Sequence, residues 1–315
     1  MLTGVTIKNF RCLRDVTIQL EPLTIVVGPN AAGKSTLLKA LDPQFRTNNR
    51  QDFWQTRPSQ IERLFRFSDR PDLTNVDVLN KDGSIPHAGY GGLPVVYQFL
   101  QLDPGGLRTP NQLRDERVLG RDGSNLANLV ATLPRRQQEQ LALSFARLVP
   151  AYGDVTPRPL NSGSGHHRLV FQDRWQDTAW YEPSNVSDGS LIVLALLTLG
   201  YQDPAPDLIA IEELERGLHP YLMGEILSLL RKMTRGEVGK KQTQVVIATH
   251  SAELLEFADP KEVRFLSRTD DGGVTVEEAP TSAPDWEQVV KDHQGSLGNL
   301  WLSGGLGGVP GGMGT

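Results

Sequence analysis

The chain has 315 residues, 38% of them hydrophobic, which is enough apolar material for a large core in one or two intimately joined domains. A formal charge of −5 excludes a protein that coats nucleic acid through bulk charge, and the single Cys12 excludes an internal disulfide or a cysteine zinc cluster, as suits a reducing, cytoplasmic compartment. The opening MLTGVTIKNFRCLRD has no apolar signal core, and the longest apolar run, LIVLALLTLG at 191–200, is too short to span a bilayer, so no membrane segment is expected.

Residues 2–9 and 13–20 alternate apolar and polar and predict two half-buried strands with a tight connection. LTIVVG at 23–28 predicts a buried strand, and TLLKAL after it a helix. From about 42 to 184 the pattern is irregular and reads as an insertion, with strands at 93–101, 168–173 and 177–181 and helices at 124–133 and 135–149. From 186 onward a helix at 190–200, the strand DLIAIEE, a helix from Pro220 to about Arg235, the strand QVVIATH, a short helix and strands near 262–267 and 273–278 follow. Buried strands alternating with helices predict an α/β fold with a mainly parallel sheet, to which the N-terminal pair adds an antiparallel β subdomain and 42–184 an α+β lobe. No fixed-period repeat or sustained heptad is present, and the tail at 303–315 is glycine-rich, so it is expected to be flexible.

Between the third strand and its helix stands GPNAAGKST, which matches G-x-x-x-x-G-K-[ST] in the strand-to-helix context the mechanism needs. Such a loop curls its N–H groups around phosphates; Asn30, Gly33, Lys34, Ser35 and Thr36 are the expected nucleotide contacts, with the Ser35 hydroxyl a ligand for magnesium. Further on, Glu212 and Glu213 end an apolar strand, where ligands sit in open parallel sheets. One carboxylate can hold the magnesium shell, Glu212, and the other, Glu213, can orient or deprotonate water; two solvated loop glutamates is the competing reading. His250 ends the strand QVVIATH, where it is either a satisfied structural histidine or a group that meets the phosphates. Ser187, Asp188, Gly189 and Ser190 head the apolar helix at 190–200, and this turn is either a helix cap or an anion site.

The order GPNAAGKST, SDGS at a helix start, IAIEE, ERGLHP and ATHS resembles the ABC-type P-loop ATPases, in particular the RecF-like, SMC-like and overcoming-lysogenization-defect branch. IKNFRCLRDV, LGRDGSNLANLV and LGNLWLSGGLGG are similar to the stand-alone AAA-family ATPases of that branch. The resemblance implies one bilobed ATPase domain over 1–315 that uses ATP and Mg2+. It makes Glu213 the general base and His250 the γ-phosphate sensor, and it makes SDGS the turn whose Ser187 hydroxyl and Gly189 N–H reach the ATP of a second copy, giving a homodimer closed around nucleotide. It also turns Glu215, Arg216 and Gly217 toward that copy and lets Pro220 open the next helix. The chain departs from the pattern where Glu212 stands for the usual Asp, where Leu214 replaces a common proline, and in lacking an assignable coupling glutamine, Gln98 and Gln101 being the candidates. LSGG at 302–305 spells the transporter signature but leads into GLGGVPGG, which cannot make the following helix, so no phosphate contact is assigned to it. Leu297, Leu300 and Trp301 either anchor the tail or pack on the surface.

Between 45 and 70, Arg46, Arg50, Arg57, Arg63, Arg66 and Arg70 interleave with Phe45, Phe53, Trp54, Phe65 and Phe67, a composition that serves DNA contact or, with Asp52, Glu62 and Asp69 to pair, a solvated face over an apolar cluster. No second acidic cluster for a fused nuclease follows His250, so the resemblance implies a separate effector or nuclease in trans, in DNA maintenance or anti-phage defence. An ABC transporter ATPase subunit, or a nucleotide-binding scaffold that hardly hydrolyses ATP, are the other function classes.

Overall fold

The computed structural model describes residues 1–47, 49–54, 59–79, 87–88, 95–161 and 165–306. It begins with the expected hairpin, β1 (Leu2–Phe10) against β2 (Leu13–Gln19), in a register that faces Val5 with Ile18 and Ile7 with Val16. Period-two alternation puts these four side chains in the core while Thr3, Lys8, Asp15 and Thr17 stay exposed. β3 (Leu23–Val27) is buried on both faces and leads through the glycine loop to α1 (Lys34–Ala40).

The next stretch departs from expectation. β4 (Ser59–Phe67) pairs antiparallel with β1, and β5 (Leu73–Leu79) and β6 (His87–Ala88) extend the same sheet in the order β2-β1-β4-β5-β6. Strand β4 is amphipathic, but one of its inward positions carries Arg63, beside inward Ile61 and Phe65, which hides the alternation in a basic segment. Arg63 is 1% exposed. Its guanidinium donates to the carbonyls of Asp42 at 2.7 Å and Phe45 at 2.5 Å, just past the end of α1, and lies 3.7 Å from the Asp77 carboxylate. Burial pulls its pKa down to about 10, with Asp77 acting in the opposite sense. Within 45–70, Arg63, Phe53 and Phe65 are core and Arg46 donates to the carbonyls of Pro43 and Phe45, whereas Arg50 is exposed and Arg66 and Arg70 are half-buried. Arg57 of that segment lies outside the described residues.

β7 (Tyr97–Leu100) falls within the expected strand at 93–101, whose residues 93 and 94 lie outside the described residues. Then come α2 (Pro104–Leu107), β8 (Asn111–Gln112), α3 (Leu126–Thr132), α4 (Arg135–Leu148), β9 (Tyr152–Pro159), β10 (His166–Asp173), β11 (Trp180–Tyr181) and α5 (Asp188–Thr198). Unexpected β9 contains two prolines; it pairs only with β10, an edge position where a missing N–H is tolerated. The strand expected at 177–181 shrinks to β11 because the Asp173 side chain ties Trp175 and Gln176 into a turn that runs on to Asp177.

The chain continues through β12 (Leu208–Glu212), α6 (Pro220–Thr234), β13 (Gln244–Thr249), α7 (Ala252–Leu255), β14 (Val263–Arg268), β15 (Val274–Glu278), α8 (Trp286–Asp292) and α9 (Leu297–Leu302). The central sheet runs β15-β14-β3-β13-β12-β7, with β14, β3, β13 and β12 mutually parallel and β15 antiparallel. Strands β3, β12 and β13 are mostly apolar and buried, and one face packs with α1 and the antiparallel sheet in a shared core that includes Val26, Ala210, Val246 and Ala248. Ile25, Ile209 and Ile247 are each fully buried, and each such side chain contributes about 1.5–3 kcal/mol.

Two compact units result. One comprises Met1–Phe99, Asp207–Glu213 and Gln244–Thr315 and carries the antiparallel and central sheets; the other comprises Leu100–Pro206 and Leu214–Thr243 and carries α2 to α6 with β8 to β11. The insertion expected at 42–184 is thus divided, its first part belonging with β1 through the β1–β4 ladder. No described helix is long and apolar enough to cross a membrane. Of the glycine-rich tail, residues 307–315 lie outside the described residues.

Candidate nucleotide site

At the top of β3 the chain must turn sharply into α1. Ala31 at φ 64° and Gly33 at φ 101° make that turn in the left-handed region, and a Cβ on Gly33 would come within 3.0 Å of the Cys12 Sγ. Gly33 caps α1 without any side-chain hydrogen bond, so the first N–H groups of the helix, at Lys34, Ser35 and Thr36, carry no side-chain cap. Lys34 folds its ammonium back over the loop, donating to the carbonyls of Gly28 at 2.7 Å and Pro29 at 2.9 Å.

The other half of the site comes from the neighbouring strand ends. Parallel pairing of β12 with β13 and of β13 with β3 sets Glu212 level with Ala248, and Thr249 level with Val27. Glu212 accepts a hydrogen bond from the Ser35 hydroxyl. Glu213 sits just past the strand at φ 53°, a conformation that costs a non-glycine residue about 1–3 kcal/mol and clusters at functional sites; its N–H donates to the Ala248 carbonyl at 2.9 Å. His250 follows β13 and is exposed, while Ser251 caps α7 by accepting from the Leu254 N–H at 3.2 Å.

These pieces enclose one cleft of about 240 Å³, lined by Asn30, Gly33, Lys34, Ser35, Thr36, Glu212, Glu213 and His250. Every residue expected in the first unit's site is brought together there. The cleft also takes in Cys12 and Arg268, neither of which the sequence reading placed in the site; Cys12 lies on the β1–β2 turn within IKNFRCLRDV, and Arg268 ends β14 outside any motif quoted above. The Ser35 hydroxyl and the Glu212 carboxylate share one spot, a pair of hard oxygen donors that fits Mg2+. Among the described residues no group of three or more His, Cys, Asp and Glu could hold a metal alone, so a cation here would draw its remaining ligands from phosphates and water.

Ser187 and Gly189 belong to the second unit. Ser187 is the N-cap of α5: its exposed side chain accepts from the Ser190 N–H at 3.2 Å and lies 2.7 Å from the Ser190 hydroxyl. Asp188 is fixed by Arg108, whose guanidinium reaches it at 2.6 Å and also bonds the carbonyls of Pro183 and Val186. Gly189 is buried, and a Cβ there would meet the Gly217 carbonyl at 2.5 Å. Hence the loop Glu215–Gly217 packs on the SDGS turn of its own chain. Pro220 opens α6 as expected, with His219 as its N-cap.

Three other sequence features have defined places in the structure. In LGRDGSNLANLV, Asn125 bonds Gly120 N–H and Val118 carbonyl, and Asn128 accepts from Arg114 N–H, so the phrase is a self-locked turn into α3. LSGG at 302–305 ends α9 instead of heading a helix, and Leu297, Leu300 and Trp301 are buried. Gln98 is a buried residue of β7, and Gln101 accepts from Arg121 at 2.8 Å.

Comparison with known proteins fits this geometry. A family model described as "AAA domain, putative AbiEii toxin, Type IV TA system" matches residues 92–256, more than half of the chain, and one described as "AAA ATPase domain" matches residues 1–86. A curated relative, the OLD nuclease of Thermus scotoductus, is 57% identical over 42 residues, 13% of this chain and 8% of that protein, so the match spans a small part of the relative's length. Among solved structures, an SMC head bound to the C-terminal winged-helix domain of ScpA superposes with a TM-score of 0.61 at 14% identity, covering 89% of this chain and 98% of that one. An SMC head from Pyrococcus furiosus bound to the C-terminal domain of ScpA gives 0.60 at 12% identity over 93% and 99%, and the Thermotoga maritima SMC head gives 0.54 at 16% over 88% and 98%. At these identities the structures establish the fold, a P-loop ATPase head with an antiparallel subdomain.

Proposed function

This chain belongs to the AAA-domain family whose model spans residues 92–256, and we propose that it is a cytoplasmic ATP-binding and hydrolysing switch that dimerises around ATP and acts in DNA maintenance or anti-phage defence through a separate effector protein. The observation that carries the hydrolytic part is the single cleft in which an uncapped helix start, a lysine, a serine–glutamate pair, a second glutamate and a histidine converge.

Each residue then has a task. The N–H groups at Gly33 to Thr36 and the Lys34 ammonium bind the phosphate chain. Ser35 and Glu212 would hold Mg2+, which when bound supplies positive charge to the phosphate oxygens. Glu213, held with its side chain in the cleft by its left-handed backbone, takes a proton from the attacking water, and His250 hydrogen-bonds the terminal phosphate. Ser187 and Gly189 reach the terminal phosphate of ATP held by a second copy, and the helix start behind them favours that anion. Two such contacts across a twofold axis make closure depend on the terminal phosphate; swinging the equilibrium from mostly apart to mostly together takes about 5 kcal/mol of differential binding.

The DNA and defence part of the reading rests on the partial identity to the OLD nuclease and on the family model described as a putative AbiEii toxin. The test is the light-scattering mass of Glu213→Gln with and without Mg-ATP. A doubled mass that Ser187→Arg abolishes is the expected result; a constant monomer mass while ATP still binds would sink the dimer. Co-purification from the native host without any second protein would sink the effector.

A further inference from the structure

Given the ATP reading of the cleft, we propose that Arg268 is the contact for the nucleoside end of the nucleotide, holding base and ribose while the loop after β3 holds the phosphates. The sheet order gives the cleft two flanks about β3. On one side stand β13 and β12, which bring Ala248, His250, Glu212 and Glu213. Both carboxylates and the histidine are there, so the terminal phosphate, where water attacks, belongs on that flank. On the other side stands β14, paired to β3 through Val263–Ile25, Arg264–Val26 and Phe265–Val27. Arg268 lies three residues beyond that last pair, past the level at which β3 gives way to the loop, and it is joined on this flank by Cys12 from the β1–β2 turn. A triphosphate that starts beside Glu213 and crosses the helix start of α1 delivers its nucleoside to the Cys12 and Arg268 side.

The side chain is prepared for the task. Arg268 Nη1 donates to the carbonyl of Gly272, in the turn between β14 and β15, which fixes the direction of the guanidinium. That turn is itself tied down: Asp271 accepts from Thr269 at 2.6 Å and pairs with Arg14, and the Arg14 guanidinium stacks 5.3 Å from the Trp54 ring centroid. Arg14 is thereby committed. Among the described residues Arg268 has no carboxylate partner, although it is exposed and lines an anion-binding cleft. A planar guanidinium with one edge anchored offers its remaining donors to ribose or base acceptors, and its face to a base.

Titration calorimetry of the full chain with ATP, ADP and inorganic tripolyphosphate tests this. For Arg268→Ala the expected result is about tenfold weaker binding of both nucleotides, with tripolyphosphate within twofold of wild type and an unchanged melting temperature. Arg268→Lys keeps the charge but loses the planar fork and is expected to restore less than half of the lost affinity on a logarithmic scale. A second readout is alkylation of Cys12, the chain's single cysteine, with a maleimide: ATP slows it in wild type, and the variant needs about tenfold more ATP for equal protection. Equal losses for ATP and tripolyphosphate make Arg268 a phosphate contact and overturn the assignment, as does unchanged ATP affinity. Wild-type protein that binds neither ATP nor tripolyphosphate would overturn the nucleotide reading itself.

Discussion

Two helix starts in this molecule look alike in sequence and differ in structure. Both GPNAAGKST and NVSDGS place glycine, serine and polar neighbours immediately before an apolar helix. At the first, Gly33 caps α1 with no side chain at all, so no side chain of the loop satisfies the first N–H groups. At the second, Ser187 already satisfies the Ser190 N–H, Arg108 holds Asp188, and Gly189 is closed in by the Gly217 carbonyl. On the proposed function, the first loop binds phosphate by itself, and the uncapped helix start is what that task requires. On the same proposal, the second turn meets phosphate only in an assembly, and its exposed Ser187 hydroxyl already serves as a cap in the single chain.

The sharpest way to test this division of labour is to disable one start at a time. The largest effect is expected from Glu213→Gln, beside the first start: phosphate release falls by about 10²- to 10⁴-fold while ATP affinity is kept. A loss of ATP affinity equal to the loss of rate would make Glu213 a binding group. At the far end of the same helix, Arg63→Ala leaves Asp77 and the carbonyls of Asp42 and Phe45 buried without their partner, a loss of about 3–5 kcal/mol in urea unfolding. Arg66→Ala, on the outward side of the same strand, is expected to cost less than about 0.5 kcal/mol, and equal costs would refute the inward placement of Arg63.

Smaller effects separate the two starts themselves. Lys34→Ala removes a charge-assisted contact to phosphate, so ATP affinity measured by calorimetry drops about 10- to 100-fold with little change in stability. Gly189→Ala pushes a methyl at the Gly217 carbonyl and is expected to lower unfolding free energy by about 1–3 kcal/mol, with ATP affinity of the monomer unchanged. Ser187→Ala costs about 1 kcal/mol as a lost cap and removes ATP-dependent dimerisation. Should dimerisation survive in Ser187→Ala, the second start is a cap and nothing more.

Much of the site was legible in the chain because its parts are local. A glycine loop between a buried strand and a helix, two carboxylates at a strand end and a histidine at the next strand end need only a few consecutive residues each, and hydrophobic runs place them on a parallel sheet whose strand ends gather ligands. The fold class, the central strands, and helices α3 to α6 follow from the same periodicities. What local pattern could not deliver was the fate of residues whose partners are distant. Arg63 reads as basic surface until β4 is seen to pair with β1, which turns that position inward onto the carbonyls after α1. Strand β9 reads as loop until its prolines are found at a sheet edge.

Sequence by itself determined that a phosphate loop, an acidic strand end and a histidine exist in this order, since each is encoded in a short stretch by backbone freedom and residue chemistry. Only the tertiary structure decided what surrounds them. Parallel pairing of β12, β13 and β3 aligned three distant strand ends on one cleft, β14 carried Arg268 to its other flank, and antiparallel pairing buried an arginine that composition had assigned to the surface. Register between strands is fixed by which faces can be buried together, and that is a property of the assembled sheets, not of any one segment.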